Sequence, residues 1–246
     1  MIKIANIYPV ANQVLYKEES VVMILAHLLS AGKYNPAYFR GNKYIILDNG
    51  AFEGERTSSS LLTYIDLAKD SDIAVDEIVI PDMVGSTLET IRMFEDNLRH
   101  IKDHPEYNYM FVAQGTQPAE LEFNISYINR YAGELDNLVV GIPKIYSPDR
   151  RLGSSIESYK KCLFPIHFLG IRTTFSELDG VKDLVRSCDT SQISYLAKNE
   201  STDVDVWNYE RRVAARDKDK DVDLEVDYLD ESKLLKLKDQ VINHRW

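Results

Sequence analysis

Short apolar runs alternate with longer amphipathic segments along most of this chain, and this alternation constrains the fold most strongly. The runs have the length of strands, and the longer segments repeat their apolar residues at helical spacing. Such alternation predicts a parallel sheet covered by helices. The predicted strands span residues 2–7, 44–47, 77–80, 110–113, 138–140, 166–169 and 185–188. The predicted helices span residues 18–30, 59–69, 87–102, 118–131, 154–162 and 175–184.

The strand count favours a closed barrel over an open sheet. Seven strands are visible, and we expect an eighth in the divergent C-terminal third, which gives a compact α/β fold of the TIM (β/α)8 barrel class. An open doubly wound sheet is the alternative, but its usual phosphate-binding motifs, G-x-G-x-x-G and G-x-x-x-x-G-K-[ST], are absent from the sequence. We predict a single barrel domain over residues 1–246. Its divergent part, residues 200–246, contains predicted helices at 206–216 and 229–243 around a charged connector at 217–223.

Composition limits the class of protein. The 246 residues are 44% hydrophobic and 28% charged, which excludes a disordered, collagen-like or disulfide-stapled chain. No apolar run approaches the ~20 residues that cross a bilayer, and the N-terminal MIKIANIYPV is interpreted as a strand rather than a signal peptide. We therefore expect a cytoplasmic protein without membrane contact. The net charge of −10 disfavours a strongly basic nucleic-acid coating protein. Cys162 and Cys188 cannot build a Cys-rich zinc site, and we expect neither a metal nor a cofactor.

Polar residues and glycines follow six of the predicted strands. These groups are Asp48-Asn49-Gly50, Pro81-Asp82, Gln114-Gly115, Gly141-Ile142-Pro143-Lys144, Gly170-Ile171-Arg172 and Asp189-Thr190-Ser191. In a parallel barrel these groups open onto one rim, where active sites are built. An Asp at such a point also fits a helix cap or a turn. Asp48 lies about ten residues before the next predicted helix, too far to cap it, whereas Asp189 also fits the cap of a helix at 192–197.

Two carboxylates at one mouth predict chemistry at a glycosidic bond. One carboxylate attacks or stabilises the anomeric carbon, and the other moves a proton to or from the leaving group. The five histidines show no metal-ligand spacing, and His167, which lies inside a predicted strand, is interpreted as a satisfied core residue.

Taken in order, the strand-end groups resemble the motifs of the tRNA-guanine transglycosylase superfamily, including its 7-deazaguanine DNA transglycosylase branch. Asp48-Asn-Gly-Ala-Phe52-Glu resembles the family loop Asp-Ser-Gly-Gly-(Phe/Tyr)-Gln, and Asp82 stands where the base-recognising aspartate of the family ends the next strand. The remaining similarities are Gln114-Gly115 to Gln-Gly(-Gly), Gly141-Ile142 to Gly-Gly-Leu, His167-Phe-Leu169-Gly-Ile to Leu-Met-Gly-(Val/Ile), and Ser187-Cys-Asp189 to the Phe-Asp that carries the nucleophile. The similarity covers residues 44–191, and the family fold is a TIM barrel.

The resemblance implies base exchange on a nucleotide. Asp189 would attack C1′ and hold the sugar covalently, while Asp48 would act as general acid/base for the departing and incoming bases. The implied base-binding groups are Asp82, Gln114, Gly115 and the backbone of Gly141 and Ile142, with Phe52 and Leu169 on the two faces of the ring. Stacking combined with hydrogen bonds to the base edge is what a flipped base requires. Core packing is the alternative for Phe52 and Leu169.

The chain also departs from the family. It lacks the cysteines of the Cys-Cys-Cys-His zinc subdomain of the tRNA enzymes and is shorter than they are, which favours DNA over tRNA as substrate. Asn49, Ala51 and Glu53 replace the usual Ser, Gly and Gln of the first loop. Candidate phosphate contacts after the strands are Lys144, Arg150, Arg151 and Arg172, with Arg211, Arg212 and Arg216 as a second patch.

The predicted function is therefore a nucleobase transglycosylase that exchanges guanine in DNA for a 7-deazaguanine base of the preQ0 type. Three alternatives stay open: a glycosylase or hydrolase that uses water as acceptor, an enzyme that modifies tRNA, and a non-catalytic base-binding partner subunit. The tyrosine-rich segment 127–131 could pack internally or form the face of a homodimer.

Overall fold

Eight parallel strands form a nearly closed barrel, which confirms the predicted fold class. The computed structural model describes residues 3–41, 43–51, 58–143, 146, 156–170, 183–190, 194 and 228–243. The strands are β1 Lys3–Asn6, β2 Val21–Leu25, β3 Tyr44–Asp48, β4 Glu77–Val79, β5 Asn108–Val112, β6 Leu138–Pro143, β7 Ile166–Leu169 and β8 Val185–Thr190. They are hydrogen-bonded in the order β1-β8-β7-β6-β5-β4-β3-β2, and β1 contacts β2 across the remaining gap. This order excludes the open doubly wound alternative, whose strand order reverses within the sheet.

Helices connect the strands on the outside of the barrel. They are α1 Ala26–Ser30, α2 Leu61–Asp70, α3 Thr87–Asp103, α4 Pro118–Ile128, α5 Ile156–Lys160 and α6 Glu231–Asn243, with 3-10 helices at Val10–Glu18, Pro36–Tyr38 and Asn129–Tyr131. Ser86 caps α3, because its Oγ accepts a hydrogen bond from the Glu89 amide at 3.4 Å. None of the helices in the described ranges is long and apolar enough to cross a membrane.

The eighth strand lies inside the segment that the sequence predicted as helix 18–30. This segment contains β2 and only five helical residues, α1, and the link from β1 to β2 is a 3-10 helix. The expectation of an eighth strand in the C-terminal third is therefore wrong. All five residues of β2 are buried, so the strand shows no polar–apolar alternation and cannot be told from a buried helix by periodicity. The remaining sequence feature that favours a strand here is the presence of three β-branched residues, Val21, Val22 and Ile24.

The other predicted strands are confirmed, and so are the predicted helices at 59–69, 87–102, 118–131 and 154–162, where the structure describes them. Helix α6 lies within the helix predicted at 229–243. The predicted helix at 206–216 and the charged connector at 217–223 lie outside the described residues, as does most of the predicted helix at 175–184. Within segment 127–131, Tyr127 packs internally: its hydroxyl donates to Glu95 Oε1 at 2.6 Å, and its ring lies against Phe94.

Two hydrophobic clusters separate the inside of the barrel from its outside. The inner cluster comprises Ala5, Val21, Met23, Ile46, Val79, Met110, Val112 and Val139. The larger outer cluster, which includes Ile45 and Leu47, lies between the strands and the helices. Because successive strand residues face opposite sides, Asp48 has the inward orientation of Ile46. Asp189 is paired in register with the inward-facing Ala5. The carboxyl ends of β3 and β8 therefore direct their aspartates toward the same barrel mouth.

Candidate active site at the carboxyl ends of the strands

Asp189 ends β8 as a buried carboxylate with fixed orientation. It is 5% exposed, and the amide of Gly170 donates to both of its oxygens at 3.0 Å. Gly170 has φ +62°, a conformation that other residues adopt at a cost, and this turn at the end of β7 aims its N–H at the carboxylate. A third contact joins Asp189 Oδ1 to Nε2 of His167 at 3.1 Å. The predicted nucleophile is thus held by β7 and cannot rotate freely.

His167 is a contact of the predicted nucleophile that the sequence analysis missed. As predicted, it lies in a strand and is completely buried, but both ring nitrogens bond to residues of β8. Its Nδ1 lies 2.8 Å from Oγ of Ser187. The sequence could have indicated this contact only through the pairing of β7 with β8. His167 faces the same side of β7 as Leu169, and Ser187 faces the same side of β8 as Asp189, because residues two apart on a strand share a side. Which residues of neighbouring strands lie opposite each other depends on a register shift after Ile166 that sequence does not reveal.

Asp82 is the centre of a second buried polar cluster, formed at the ends of β3, β4 and β5. Its Oδ1 accepts a hydrogen bond from Asn49 Nδ2 at 2.6 Å, and its Oδ2 accepts one from Gln114 Nε2 at 2.5 Å. Gln114 Oε1 in turn accepts from the Gly85 amide at 3.2 Å. Burial raises the pKa of Asp82, and the hydrogen bonds from Asn49 and Gln114 oppose that rise only in part. The structure therefore brings together two of the predicted base-binding side chains, Asp82 and Gln114.

Asp48 ends β3 beside this cluster and is more exposed than the other two aspartates. Its Oδ1 accepts a hydrogen bond from the Gly50 amide at 3.3 Å in a tight turn, where Gly50 has φ +76°. Burial raises the pKa of the Tyr64 hydroxyl, and the negative charges of Asp48 and Asp82 raise it further. Asp48 directly precedes Asn49, which bonds to Asp82, so the two carboxylates lie at the neighbouring ends of β3 and β4.

Gly115 and Gly141 occupy close contacts where no side chain fits. A Cβ on Gly115 would lie 2.2 Å from the Tyr146 hydroxyl, and one on Gly141 would lie 2.8 Å from Met110 Sδ inside the barrel. The Gly141 carbonyl accepts from the Ala113 amide at 2.8 Å, so the sheet already uses this oxygen. These constraints explain both glycines by packing, and their base-binding role stays a prediction.

Ile142 and Leu169 belong to different sides of the sheet. Ile142 is fully buried in the outer cluster, so its side chain faces away from the mouth. Leu169 is partly buried and packs against the inner cluster, as the core-packing alternative required, while its residual exposure is at the mouth end of β7. Phe52, Lys144 and Arg172 lie outside the described residues, as do the candidate phosphate contacts Arg150, Arg151, Arg211, Arg212 and Arg216.

The described part of the chain offers acid–base and nucleophilic groups at the mouth. Over these residues, no group of three or more His, Cys, Asp or Glu has the arrangement of a metal site, and Cys162 and Cys188 are not in a disulfide. The mouth combines one rigid buried carboxylate, one more accessible carboxylate and one carboxylate surrounded by amides. No protein-family model and no curated protein matches this sequence. The function must therefore be inferred from these three aspartates and their surroundings.

Proposed function

We propose that this protein is a nucleobase transglycosylase, which exchanges guanine in DNA for a 7-deazaguanine base through a glycosyl ester on Asp189. The observation that carries the proposal is the fixed, 5% exposed carboxylate of Asp189 at a barrel mouth that also presents Asp48 and Asp82. TIM-barrel enzymes build their active sites at this end of the strands.

Asp189 is suited to attack at C1′ of a nucleotide. The bond from a carboxylate oxygen to C1′ forms as the bond from C1′ to N9 of guanine breaks, and the bonding electrons leave with the base. Asp48, which is more exposed, supplies a proton to the departing guanine. Its carboxylate then takes the N9 proton of the incoming base, whose nitrogen attacks C1′ and releases Asp189. The two half-reactions use the same groups in reverse order.

The Asp82 cluster is suited to recognise the base. Guanine presents N–H donors at N1 and N2 and an acceptor at O6, which match a carboxylate and a side-chain amide. Asp82 accepts one hydrogen bond on each oxygen from Asn49 and Gln114, and carboxylate oxygens have lone pairs for further donors. A 7-deazaguanine has the same pyrimidine edge as guanine, so one cluster can bind both the departing and the incoming base. Exchange requires this property.

DNA is preferred to tRNA because the sequence lacks the cysteines of the zinc element that the tRNA enzymes carry. This preference is tested directly when both nucleic acids are offered to the same preparation.

The test is incorporation of radiolabelled guanine by the purified full-length protein into duplex DNA and, in parallel, into tRNA. We expect label in DNA, no label with Asp189→Asn, and severely reduced label with Asp48→Asn. Asp70→Asn, the same change at an exposed position of α2, is the matched control and should behave as the unchanged protein. A denaturation-resistant DNA adduct should form in the unchanged protein and be absent in Asp189→Ala.

The other outcomes contradict the proposal in different ways. Release of free guanine without incorporation identifies a hydrolase, and label in tRNA alone identifies a tRNA enzyme. Base binding with neither exchange nor an adduct identifies a non-catalytic partner subunit. Full exchange activity in Asp189→Asn excludes Asp189 as the nucleophile.

A further inference from the structure

A chain of polar side chains runs through the barrel interior from Glu77 to Asp189. At its far end, Glu77 Oε2 accepts hydrogen bonds from Arg186 Nη2 at 2.8 Å and from the Tyr44 hydroxyl at 2.6 Å. Arg186 Nε then donates to Ser187 Oγ at 3.2 Å. The chain continues from Ser187 Oγ to His167 Nδ1 and from His167 Nε2 to Asp189 Oδ1, at the distances given above.

The direction of the protons along this chain follows from Arg186. A guanidinium N–H is only a donor, so Ser187 Oγ accepts at that contact. The Ser187 hydroxyl proton then has one acceptor in the described residues, Nδ1 of His167. A neutral His167 therefore carries its proton on Nε2 and donates it to Asp189. In the opposite arrangement, with a proton on Nδ1, the Ser187 hydroxyl would be buried without an acceptor, which is costly.

We propose that His167 is a positioning residue, fixed in its Nε2–H form by Arg186 and Ser187, which makes Oδ2 of Asp189 the attacking oxygen. This inference rests on the proposed transglycosylase function. Among the described residues, Oδ1 of Asp189 accepts from both His167 and Gly170, whereas Oδ2 shares only the Gly170 amide. The oxygen with fewer donors keeps its electron pair more available for C1′.

The same contacts favour the second half-reaction. When the glycosyl ester forms on Oδ2, Oδ1 becomes its carbonyl oxygen and remains within reach of the donors on His167 and Gly170. As the incoming base attacks C1′, the bond from C1′ to Oδ2 breaks and negative charge returns to the Asp189 carboxylate. Donors already directed at that charge lower the barrier to its departure. Loss of the His167 donor should therefore slow release of the covalent intermediate more than its formation.

Ser187, His167 and Asp189 are also the residue types of a serine hydrolase triad, which is the alternative interpretation of these contacts. Ser187 is 2% exposed, lies below Asp189 along β8 and is bonded on both sides within the barrel, so no substrate carbonyl can reach its Oγ. The carboxylate of Asp189 is the end of the set that lies nearest the barrel mouth. The hydrogen bonds therefore donate toward Asp189 and orient its carboxylate, and they do not activate Ser187 as a nucleophile.

Nuclear magnetic resonance of the full-length protein labelled with 15N-histidine tests the proton position without any substrate. The signals of His167 are identified by their absence in His167→Gln. We expect the Nε2–H form in the unchanged protein and in Ser187→Thr, which keeps the hydroxyl, and a larger share of the Nδ1–H form in Ser187→Ala, where only the Asp189 carboxylate still favours Nε2–H. An Nδ1–H form in the unchanged protein overturns the inference.

Separate measurement of the two half-reactions tests the role of His167. His167→Leu should form the DNA adduct within about threefold of the normal rate and transfer the sugar to an added base about 10- to 100-fold more slowly, so that adduct accumulates. His167→Gln, whose side-chain amide keeps a hydrogen-bond donor, should recover most of the transfer rate. Cys188→Ala is the matched control, because Cys188 lies on β8 but faces the outer cluster.

The two proposals fail in different ways. If the unchanged protein forms neither adduct nor exchanged DNA, the transglycosylase function is wrong. The nuclear magnetic resonance experiment still reports which nitrogen of His167 carries the proton. If adduct forms but His167→Leu transfers the sugar at the normal rate, the function stands and the role of His167 is overturned. Should His167→Leu fail to fold, Ser187→Ala compared with Ser187→Thr gives the same decision: equal transfer rates in these two variants overturn the inference.

Discussion

Nε2 of Gln114 lies 2.5 Å from Oδ2 of Asp82, at the carboxyl ends of two neighbouring strands. With Asn49 on the other oxygen, Asp82 is a buried carboxylate whose described partners are neutral amides and not cations. Amide donors offset only part of the cost of burying a charge. Such a site gains most from a ligand that brings further N–H donors, as the edge of a guanine does.

Asp82 should make the stability of the protein depend on pH in a direction opposite to that of an ion-paired aspartate. Its pKa is raised in the folded state by burial, so its contribution to stability is present below the ordinary value of 3.8 and is lost as pH rises through the raised pKa. The free energy of unfolding of the unchanged protein minus that of Asp82→Asn should therefore decrease with rising pH in this window. Urea unfolding of both proteins between pH 3.5 and 7 measures it.

Gln114→Ala supplies the control for this pH dependence. Removal of one hydrogen bond that lowers the pKa of Asp82 should move the decrease to higher pH, again measured against Asp82→Asn in the same background. A difference that increases with pH would show that Asp82 is stabilised as an anion and would contradict the assignment.

Asn49 should be essential for the stability of the Asp82 cluster, although the transglycosylase loop motif that this segment resembles has a serine at this position. Its Nδ2 donates to Asp82 and to the Ile80 carbonyl at 3.0 Å, and a serine side chain is too short to replace both bonds. Asn49→Ser should lower the free energy of unfolding by about 1–3 kcal/mol. Asn49→Asp should cost more at pH 7, because it sets a second carboxylate against Asp82. Chemical denaturation measures both changes, and equal stability of Asn49→Asp and the unchanged protein would contradict the geometry.

The barrel and the positions of its aspartates could be predicted from sequence, because polar residues after apolar runs mark the carboxyl ends of parallel strands. The strand β2 could not, since a strand buried on both faces has the same apolar pattern as a buried helix. The partners of Asp82 and Asp189 were only partly predictable. Gln114 lies at a strand end and was found, whereas His167 lies one layer below the mouth and is recognisable only once its register with Ser187 is known.

Gly115 and Tyr146 should be energetically coupled. A Cβ on Gly115 would overlap the Tyr146 hydroxyl, which is buried without a hydrogen-bond partner among the described residues, and burial raises the pKa of this hydroxyl to about 12. Gly115→Ala should lower the free energy of unfolding by about 1–3 kcal/mol through overpacking. Tyr146→Phe removes an unsatisfied polar atom and should be neutral or stabilising by about 1 kcal/mol.

The double variant distinguishes this contact from a general intolerance of Gly115. In the Tyr146→Phe background the overlapping oxygen is absent, so Gly115→Ala should cost at least ~0.5 kcal/mol less than it does alone. Strict additivity in the thermal or urea unfolding of the four proteins would show that Glu120, whose Cβ is the next nearest atom, causes the strain instead.

Glu77 and Arg186 form an ion pair at the far end of the barrel interior, and its loss should be far more costly than that of a surface pair. Glu77 is fully buried and the Arg186 side chain is 29% exposed. Burial lowers the pKa of Arg186, but Glu77 and Tyr44 together raise it above its ordinary value, so Arg186 keeps its positive charge. Arg186→Leu leaves a buried carboxylate without its cation and should lower the free energy of unfolding by about 3–5 kcal/mol.

A neutral partner and a surface pair provide the controls for this prediction. Glu77→Gln in the Arg186→Leu background removes the uncompensated charge and should restore part of the loss. Glu134→Gln breaks the Lys102–Glu134 pair, whose side chains are about half exposed, and should cost no more than ~1 kcal/mol. Added salt should weaken the contribution of the surface pair more than that of Glu77 and Arg186, because buried charges are screened much less than exposed ones. If Arg186→Leu cost no more than Glu134→Gln, the pair of Glu77 and Arg186 would contribute no more than a surface pair, and this prediction would be wrong.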